Sequence, residues 1–142
     1  MQIRAVKIVN GWLHLPIGRD AKRYYVKFEA QGEQFAEFYL GLVAGEPDFW
    51  CGMELERYIG KTVTMTLDPC GSNLSKELLE GIVEGGAMDG DNRLYSGLYR
   101  EELRPQYHFS SRRGWLNDPN GLVFDGRMYH LYYQHNPYGI TH

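Results

Sequence analysis

Apolar and polar residues alternate with a period of two in the N-terminal part of the chain. In KTVTMTLD, residues 61–68, Val63, Met65 and Leu67 alternate with threonines. That period is typical of a strand with one buried face and one face in water. Residues 24–30 and 34–42 repeat it, and the turn sequences QGE, GEPD and IGK separate the runs. We therefore predict an antiparallel sheet over about residues 24–68, arranged as a β-sandwich, with no continuous helix over 24–43.

The composition favours the same class of fold. Aromatic residues make up 14% of the chain, which has 11 tyrosines and 17 glycines, and these residues favour strands and turns over helices. The formal net charge of −3 gives no electrostatic reason to expect a nucleic acid or an anionic membrane as partner. No apolar run in the sequence reaches the length of a membrane span.

One segment has a helical period instead. SNLSKELLEGIVEGG, residues 72–86, places apolar side chains on one side of a helix. Ser72 or Ser75 is the candidate N-cap, Gly85–Gly86 the candidate stop, and Gly81 weakens the helix. The members of the apolar side are Leu74, Leu78, Leu79, Ile82 and Val83.

Two further features have an ordinary and a special interpretation. The acidic sequence MDGDNR, residues 88–93, lacks the spacing and the distal glutamate of a calcium loop, so a solvated turn is favoured. Cys51 and Cys70 are too few for a disulfide framework; they are taken as separate thiols, with pairing across adjacent strands as the alternative. The first residues, interrupted by Arg4 and Lys7, do not form a signal peptide.

The composition shifts near residues 100–104. Four of the five histidines and five tyrosines follow Arg104. We place a domain boundary there, which divides the chain into 1–103 and 104–142.

The second part contains a predicted β-hairpin. In GLVFDGRMYHLYYQ, residues 121–134, the pair Asp125–Gly126 stands between two β-forming runs. Asp-Gly is a favoured pair for a two-residue hairpin turn. Such a turn places Phe124 opposite Arg127.

The same register, counted away from the turn, places Asn117 opposite Gln134. The sequence DPNG, residues 118–121, interrupts the strand, so this pairing is approximate. Asn117, Asp118 and Gln134 are expected to cluster at the end of the hairpin that lies away from its turn.

Asp118 has two interpretations from local sequence alone. Aspartate followed by proline, with glycine three positions later, fits a type I turn, in which the carboxylate accepts hydrogen bonds from turn amides. The alternative is a carboxylate held out to react. The turn is the favoured interpretation when spacing alone is considered.

The longer string changes that balance. RPQYHFSSRRGWLNDPNGLVFDGRMYHLYYQHNPYG, residues 104–139, resembles the start of the catalytic domain of glycoside hydrolase family 32, the β-fructosidases. The signature Trp-x-Asn-Asp-Pro-Asn-Gly stands at Trp115–Gly121, and the block YQHNP at Tyr133–Pro137. Both blocks occur at the spacing of the family. The position of His142 departs from it, because tryptophan is common there.

The resemblance implies roles for four residues and a fold for the chain. Asp118 is implied as the nucleophile, Asn117 and Gln134 as ligands of the fructose hydroxyls, and Trp115 as part of the pocket wall. The implied fold is mainly β: an N-terminal β-sandwich-like domain with one short helix, then the first hairpin of an incomplete five-bladed β-propeller.

The resemblance also implies what the chain lacks. A retaining glycosidase needs a second carboxyl group as acid and base, which the family takes from a glutamate far downstream, together with an Arg-Asp-Pro aspartate. The upstream acids Glu54, Glu56 and Asp68 match neither motif. The chain is therefore interpreted as a fragment that is inactive alone.

Two hypotheses of function follow. The first is a retaining β-fructosidase that acts on sucrose, levan or inulin type substrates without a metal or an organic cofactor. The second is a non-catalytic carbohydrate-binding or structural module, in which Trp12, Phe49 or Trp50 would stack on sugars; core packing is the favoured role of these three. A polymeric substrate would imply action outside the cytoplasm, and sucrose or its phosphate action within it.

Overall fold

The structure is a computed structural model that describes residues 2–68, 75–89 and 92–141. Its contacts divide the chain into two compact units, Met1–Ser96 and Gly97–His142. We refer to them as the first and the second unit.

The first unit contains seven strands in two antiparallel sheets. One sheet has four strands in the order β1-β6-β3-β4, and the other has three in the order β5-β2-β7. The strands are β1 (Gln2–Lys7), β2 (Trp12–Ile17), β3 (Tyr24–Ala30), β4 (Glu33–Leu40), β5 (Phe49–Glu54), β6 (Thr62–Leu67) and β7 (Val83–Gly85). Helical structure is limited to α1 (Ser75–Glu80) and two short 3-10 helices, Glu56–Tyr58 and Arg93–Tyr95.

The predicted alternation is confirmed in the four-stranded sheet. Along β6, Val63, Met65 and Leu67 are fully buried, while the threonines between them are exposed or half-buried. Strand β3 alternates strictly between buried and half-buried residues. Residues 24–43 contain two strands and no helix, as the sequence predicts.

Both sheets contribute buried apolar residues to the first unit. The four-stranded sheet supplies Phe28 and Met65, and β2 supplies Leu13, Leu15 and Ile17. A backbone bridge between Ile17 and Leu42 connects β2 to the segment that follows β4. The buried core also holds a polar side chain, His14, whose Nδ1 lies 2.6 Å from the hydroxyl of Tyr95.

The predicted helix is shorter than its apolar period indicates. It ends at Glu80, and Val83 lies in β7, where it pairs with His14 of β2. The prediction that Val83 belongs to the helix, and that Gly85–Gly86 stops it, is therefore wrong. Gly81 follows the last helical residue, and Ile82 is buried beyond it. Pairing of β7 with β2 satisfies backbone groups that a longer helix would have bonded internally.

Other predictions in the first unit have mixed outcomes. Trp12, Phe49 and Trp50 are half-buried rather than part of the core. Near the acidic sequence, the Asp89 carboxylate accepts a hydrogen bond from the backbone N–H of Asn92 at 3.2 Å, which is a turn contact. Cys51 is buried. Cys70, Ser72, Leu74 and Asp91 lie outside the described residues, as does His142.

The second unit is built around a two-stranded antiparallel hairpin. Its strands are β8 (Trp115–Phe124) and β9 (Tyr129–Asn136). Large apolar side chains of both strands remain exposed, among them Leu122, Phe124 and Tyr132. The chain is thus mainly β in the part that the structure describes. No helix within residues 2–68, 75–89 and 92–141 has the length and apolarity that a membrane span requires.

Candidate functional site

The site residues are placed by the register of the hairpin, which differs from the predicted one near the turn. Tyr129, not Arg127, is the partner residue across the hairpin from Phe124. The loop therefore has four residues, Asp125–Met128, and the backbone N–H of Asp125 donates to the carbonyl of Met128 at 3.2 Å. The prediction of a two-residue turn is therefore wrong, and the predicted register near the turn differs from the observed one by two residues.

The Asp125 side chain is the reason for the longer loop. Its Oδ1 accepts hydrogen bonds from the backbone N–H groups of Arg127 and Met128, each at 2.8 Å, and its Oδ2 lies 2.8 Å from Nε2 of His130. The hydrogen bond from His130, followed by those from the two amides, lowers the pKa of Asp125. A carboxylate that caps two loop amides stabilises a wider turn than an Asp-Gly pair needs by itself.

The bulges in β8 restore the predicted register at the other end. The pairing shifts between Leu116 and Pro119 and again between Pro119 and Gly121, so that Leu116 lies opposite His135. These two shifts remove the two-residue offset that the longer loop introduces. Asn117 and Gln134 consequently lie together, as predicted, although the predicted turn was not the reason.

Asp118 lies within strand β8 and not at a corner of a β-turn. Residues 115–124 form one strand, and the bulges absorb the proline and the glycine of DPNG. Within the described part of the chain, the Asp118 carboxylate accepts no hydrogen bond from a backbone amide. The interpretation of Asp118 as the acceptor in a type I turn is therefore wrong.

A chain of side-chain hydrogen bonds leads to Asp118. The indole Nε1 of Trp115 donates to Oδ1 of Asn117 at 2.9 Å, and Nδ2 of Asn117 donates to Oε1 of Gln134 at 2.9 Å. Because an indole N–H can only donate, the orientation of the Asn117 amide is determined, and so is that of Gln134. The Gln134 –NH₂ group is left with no acceptor among the described residues.

The Asp118 carboxylate is exposed and held only loosely. Its single hydrogen bond within the described chain comes from Nδ2 of Asn117 to Oδ2, at 3.5 Å. Its other oxygen is open to solvent or to a ligand. A carboxylate with one weak donor at its side keeps lone pairs that can attack an electrophilic carbon.

Three residues that sequence reasoning did not assign hold the start of β8. His135 donates through Nε2 to the carbonyl of Arg113 at 2.6 Å. Gly114 has a φ of +79°, and a Cβ there would lie 2.3 Å from the carbonyl oxygen of Asn136. Only glycine fits this approach. The third residue is Arg104, which donates hydrogen bonds to the carbonyls of Ser111 and Arg112.

No group of three or more histidine, cysteine, aspartate or glutamate side chains within residues 2–68, 75–89 and 92–141 is arranged to hold a metal ion. The chemistry available at this end of the hairpin is that of one carboxylate, two amides and an indole.

The comparison with family models matches this same region. The model of the glycosyl hydrolases family 32 N-terminal domain matches residues 108–142. A levanase from Bacillus subtilis (strain 168) is 53% identical over 45 residues, which are 32% of this chain and 7% of the levanase. An extracellular exo-inulinase from Aspergillus awamori is 50% identical over 46 residues, 32% of this chain and 9% of the inulinase.

An invertase and a solved structure extend the comparison. The invertase from Schizosaccharomyces pombe is 46% identical over 48 residues, 34% of this chain and 8% of the invertase. A structure of a glycoside hydrolase family 32 protein from Bifidobacterium adolescentis aligns with 98% of this chain and 24% of its own, at 26% identity and a TM-score of 0.34.

The matched segment contains both sequence blocks and the whole hairpin. The residues aligned with the three curated relatives named above are less than a tenth of the length of each relative. Residues 108–142 of this chain are thus similar to the N-terminal domain of the glycosyl hydrolases of family 32.

Proposed function

We propose that the complete protein is a retaining glycoside hydrolase that cleaves β-fructofuranosyl linkages, with Asp118 as its nucleophile. The observation that carries this proposal is the family match over residues 108–142, in which Asp118 is an exposed carboxylate beside Asn117 and Gln134. A motif aspartate used only to close a turn would be bonded to turn amides, and Asp118 is not.

The proposed reaction uses two carboxyl groups. Asp118 attacks the anomeric carbon of the fructosyl unit, and the bond from that carbon to the leaving oxygen breaks. A second carboxyl group, about 5–5.5 Å from the nucleophile, protonates the leaving oxygen and then activates the water that releases fructose. Both steps pass through a transition state with positive charge on the ring, which the Asp118 carboxylate stabilises.

The acid/base group is proposed to come from another part of the complete protein. Two of the other acidic side chains of the second unit are engaged elsewhere: Glu101 is bonded to Arg104, and Asp125 is bonded within the hairpin loop at the opposite end from Asp118. Since general acid catalysis contributes about 10²–10⁴ in rate, we expect the present chain by itself to show no sustained turnover of fructosides.

The neighbours of Asp118 are proposed to bind the sugar. The outward –NH₂ of Gln134 can donate to a fructose hydroxyl, and the position of Asn117 places its amide beside both Gln134 and Asp118. Trp115, 37% exposed, offers an aromatic face for the pocket wall. Hydroxyl contacts that shorten as the furanose ring flattens lower the barrier more than they strengthen ground-state binding.

The substrate class follows the names of the relatives. The matched proteins are a levanase, an inulinase and an invertase, so we propose a substrate with a terminal β-linked fructosyl unit. We further propose that β8 and β9 begin a five-bladed propeller, which would cover their exposed apolar side chains. Residues 1–103 would then form a β-sandwich-like accessory domain, and residues 104–142 the start of the catalytic domain.

The proposal is tested by release of fructose from sucrose, levan and inulin by the complete protein. Asp118→Asn keeps the size of the side chain and removes its charge, so turnover should fall by about 10⁴ or more, with the fold retained. The matched control is Asp125→Asn, the same change at the other end of the hairpin, which should keep most of the activity. Near wild-type turnover in Asp118→Asn would overturn the assignment of the nucleophile.

A further inference from the structure

Arg104 is tied to its surroundings by every donor of its guanidinium group. Nε and Nη2 bind the two carboxylate oxygens of Glu101 at 2.8 and 2.5 Å. Nη1 donates to Oγ of Ser110 at 3.0 Å and to the carbonyl of Ser111 at 2.7 Å, and Nη2 also donates to the carbonyl of Arg112 at 2.9 Å. Five N–H groups thus make five hydrogen bonds, the full capacity of an arginine.

One further contact and partial burial also fix this side chain. The guanidinium lies over the ring of Tyr99, 4.6 Å from its centroid, and the Arg104 side chain is only 15% exposed. The hydrogen bond from Arg104 lowers the pKa of Glu101, so the pair stays charged at neutral pH. A bidentate, stacked arginine has lost its rotamer freedom and holds its partners in one geometry.

The carbonyl groups that Arg104 holds lead directly into the candidate site. Ser111 and Arg112 are followed by Arg113, whose carbonyl accepts from His135, and by Gly114. The backbone N–H of Trp115 donates to the carbonyl of Gly139 at 3.0 Å. The segment 111–115 is therefore fixed on one side by Arg104 and on the other by β9 and the residues after it.

We propose that Arg104 is a positioning residue for the candidate site. By binding the carbonyls of Ser111 and Arg112, it sets the start of β8, and thereby the Trp115–Asn117–Gln134 hydrogen bonds beside Asp118. This inference rests on the proposed function only where it concerns turnover. Its structural part concerns the second unit alone and can be tested without any substrate.

The hydrogen bonds at this position require the planar guanidinium group of arginine, and a positive charge alone is not sufficient. Lysine has three donors on a single nitrogen and cannot span the Glu101 carboxylate and two carbonyls in one plane. Arg104→Lys therefore retains the charge and removes the geometry. The matched control is Arg100→Lys, the same substitution at an exposed position of the same segment.

The first experiment is NMR on the present chain. In wild type and Arg100→Lys, we expect a nuclear Overhauser contact between the Trp115 indole proton and the Asn117 side chain, and another between the Asn117 and Gln134 side chains. In Arg104→Lys both should be lost, while contacts at the hairpin loop, between His130 and Asp125, stay unchanged. Retention of the Trp115 and Asn117 contacts in Arg104→Lys would overturn the proposal.

A second variant covers the case in which Arg104→Lys fails to fold. Glu101→Gln removes the charge that orients Arg104, so the bonds from Arg104 to the carbonyls of Ser111 and Arg112 should loosen without being abolished. The same two contacts should weaken in this variant while the loop contacts persist. Unchanged contacts would show that the start of β8 does not depend on the pair formed by Arg104 and Glu101.

The second experiment measures turnover in the complete protein. Arg104→Lys should lower kcat/KM for sucrose or levan by about 10²-fold, the scale of an ångström-size misplacement of a reacting group, and Arg100→Lys should not. An active wild type with an equally active Arg104→Lys would overturn the positioning role. An inactive wild type would count against the proposed function, and the NMR contacts would still decide whether Arg104 sets the start of β8.

Discussion

Tyr25 and Glu37 face each other on the outer surface of the four-stranded sheet. The Tyr25 hydroxyl donates to Oε2 of Glu37, and the Tyr25 and Tyr39 rings lie 5.1 Å apart at 49°. The hydrogen bond to Glu37, followed by desolvation and the negative charge, raises the pKa of Tyr25 to about 12. The same hydrogen bond is the main cause that lowers the pKa of Glu37.

These shifts define the pH range in which the pair stabilises the fold. The raised pKa of Tyr25 means that its contribution is complete below pH 10.0, its ordinary pKa, and is lost as the pH rises through about 12. The lowered pKa of Glu37 means that its contribution is complete above pH 4.5 and is lost as the pH falls through its folded pKa.

Titration of tyrosinate absorbance tests the pair directly. In the wild-type chain, one phenol should ionise near pH 12, and in Glu37→Gln this phenol should ionise nearer to 10.0, because the acceptor charge is gone. Glu29→Gln, at another position on the same face of β3, is the control and should leave the titration unchanged. An identical titration in Glu37→Gln and wild type would contradict the assigned hydrogen bond.

Strand β6 is the element in which the sequence pattern and the structure agree most closely. Its threonines and its apolar residues occupy opposite faces, because it is central in its sheet and has only one face on the core. Met65→Ala should lower the free energy of unfolding by about 2–5 kcal/mol, since it leaves a cavity. Thr64→Ala on the opposite face should change it by about 0.5 kcal/mol.

Urea denaturation measures the free energy of unfolding of both variants, provided that their m-values equal that of the wild type. Equal effects of the two substitutions would contradict the assignment of the buried face.

Other elements show where sequence reasoning succeeds and where it fails. Alternation predicts the faces of β3 and β6 because burial on one side dictates it directly. The helical period over 72–86 overstates the helix, since the pairing of Val83 with β2 is a tertiary contact that local spacing does not contain. The hairpin itself is predictable from Asp125–Gly126, but its register is not, because the Asp125 side chain widens the loop and bulges in β8 compensate.

The candidate site was predictable from sequence motifs, not from the periodicity that predicts strands and helices. Asn117, Asp118 and Gln134 were identified by sequence blocks, and the structure places them together. Which side chain donates and which accepts in these hydrogen bonds was not predictable, because it depends on the Trp115 indole N–H. Arg104 and Gly114 support the site through backbone carbonyls and a positive φ, which no side-chain motif reveals.

The two units differ in how their side chains are buried. Every buried apolar side chain of the described chain lies in the first unit, whereas Ser111 is the buried residue of the second unit. Hydrogen exchange should therefore show strong protection in β3 and β6, and exchange in β8 and β9 that is faster by several orders of magnitude. Similar protection in both units would contradict a hairpin that lacks an apolar core within the described residues.

We propose that Asp118 of the complete protein forms a covalent bond to fructose during turnover. A slowly hydrolysed fructosyl donor, quenched in acid during turnover, should leave one anhydrofructosyl unit on the digested peptide that contains Asp118. Fragmentation should place the added mass on Asp118 itself, and the same peptide from Asp125→Asn should carry it as well. An unmodified Asp118 with the sugar on another carboxylate, or a product with inverted configuration, would contradict the account.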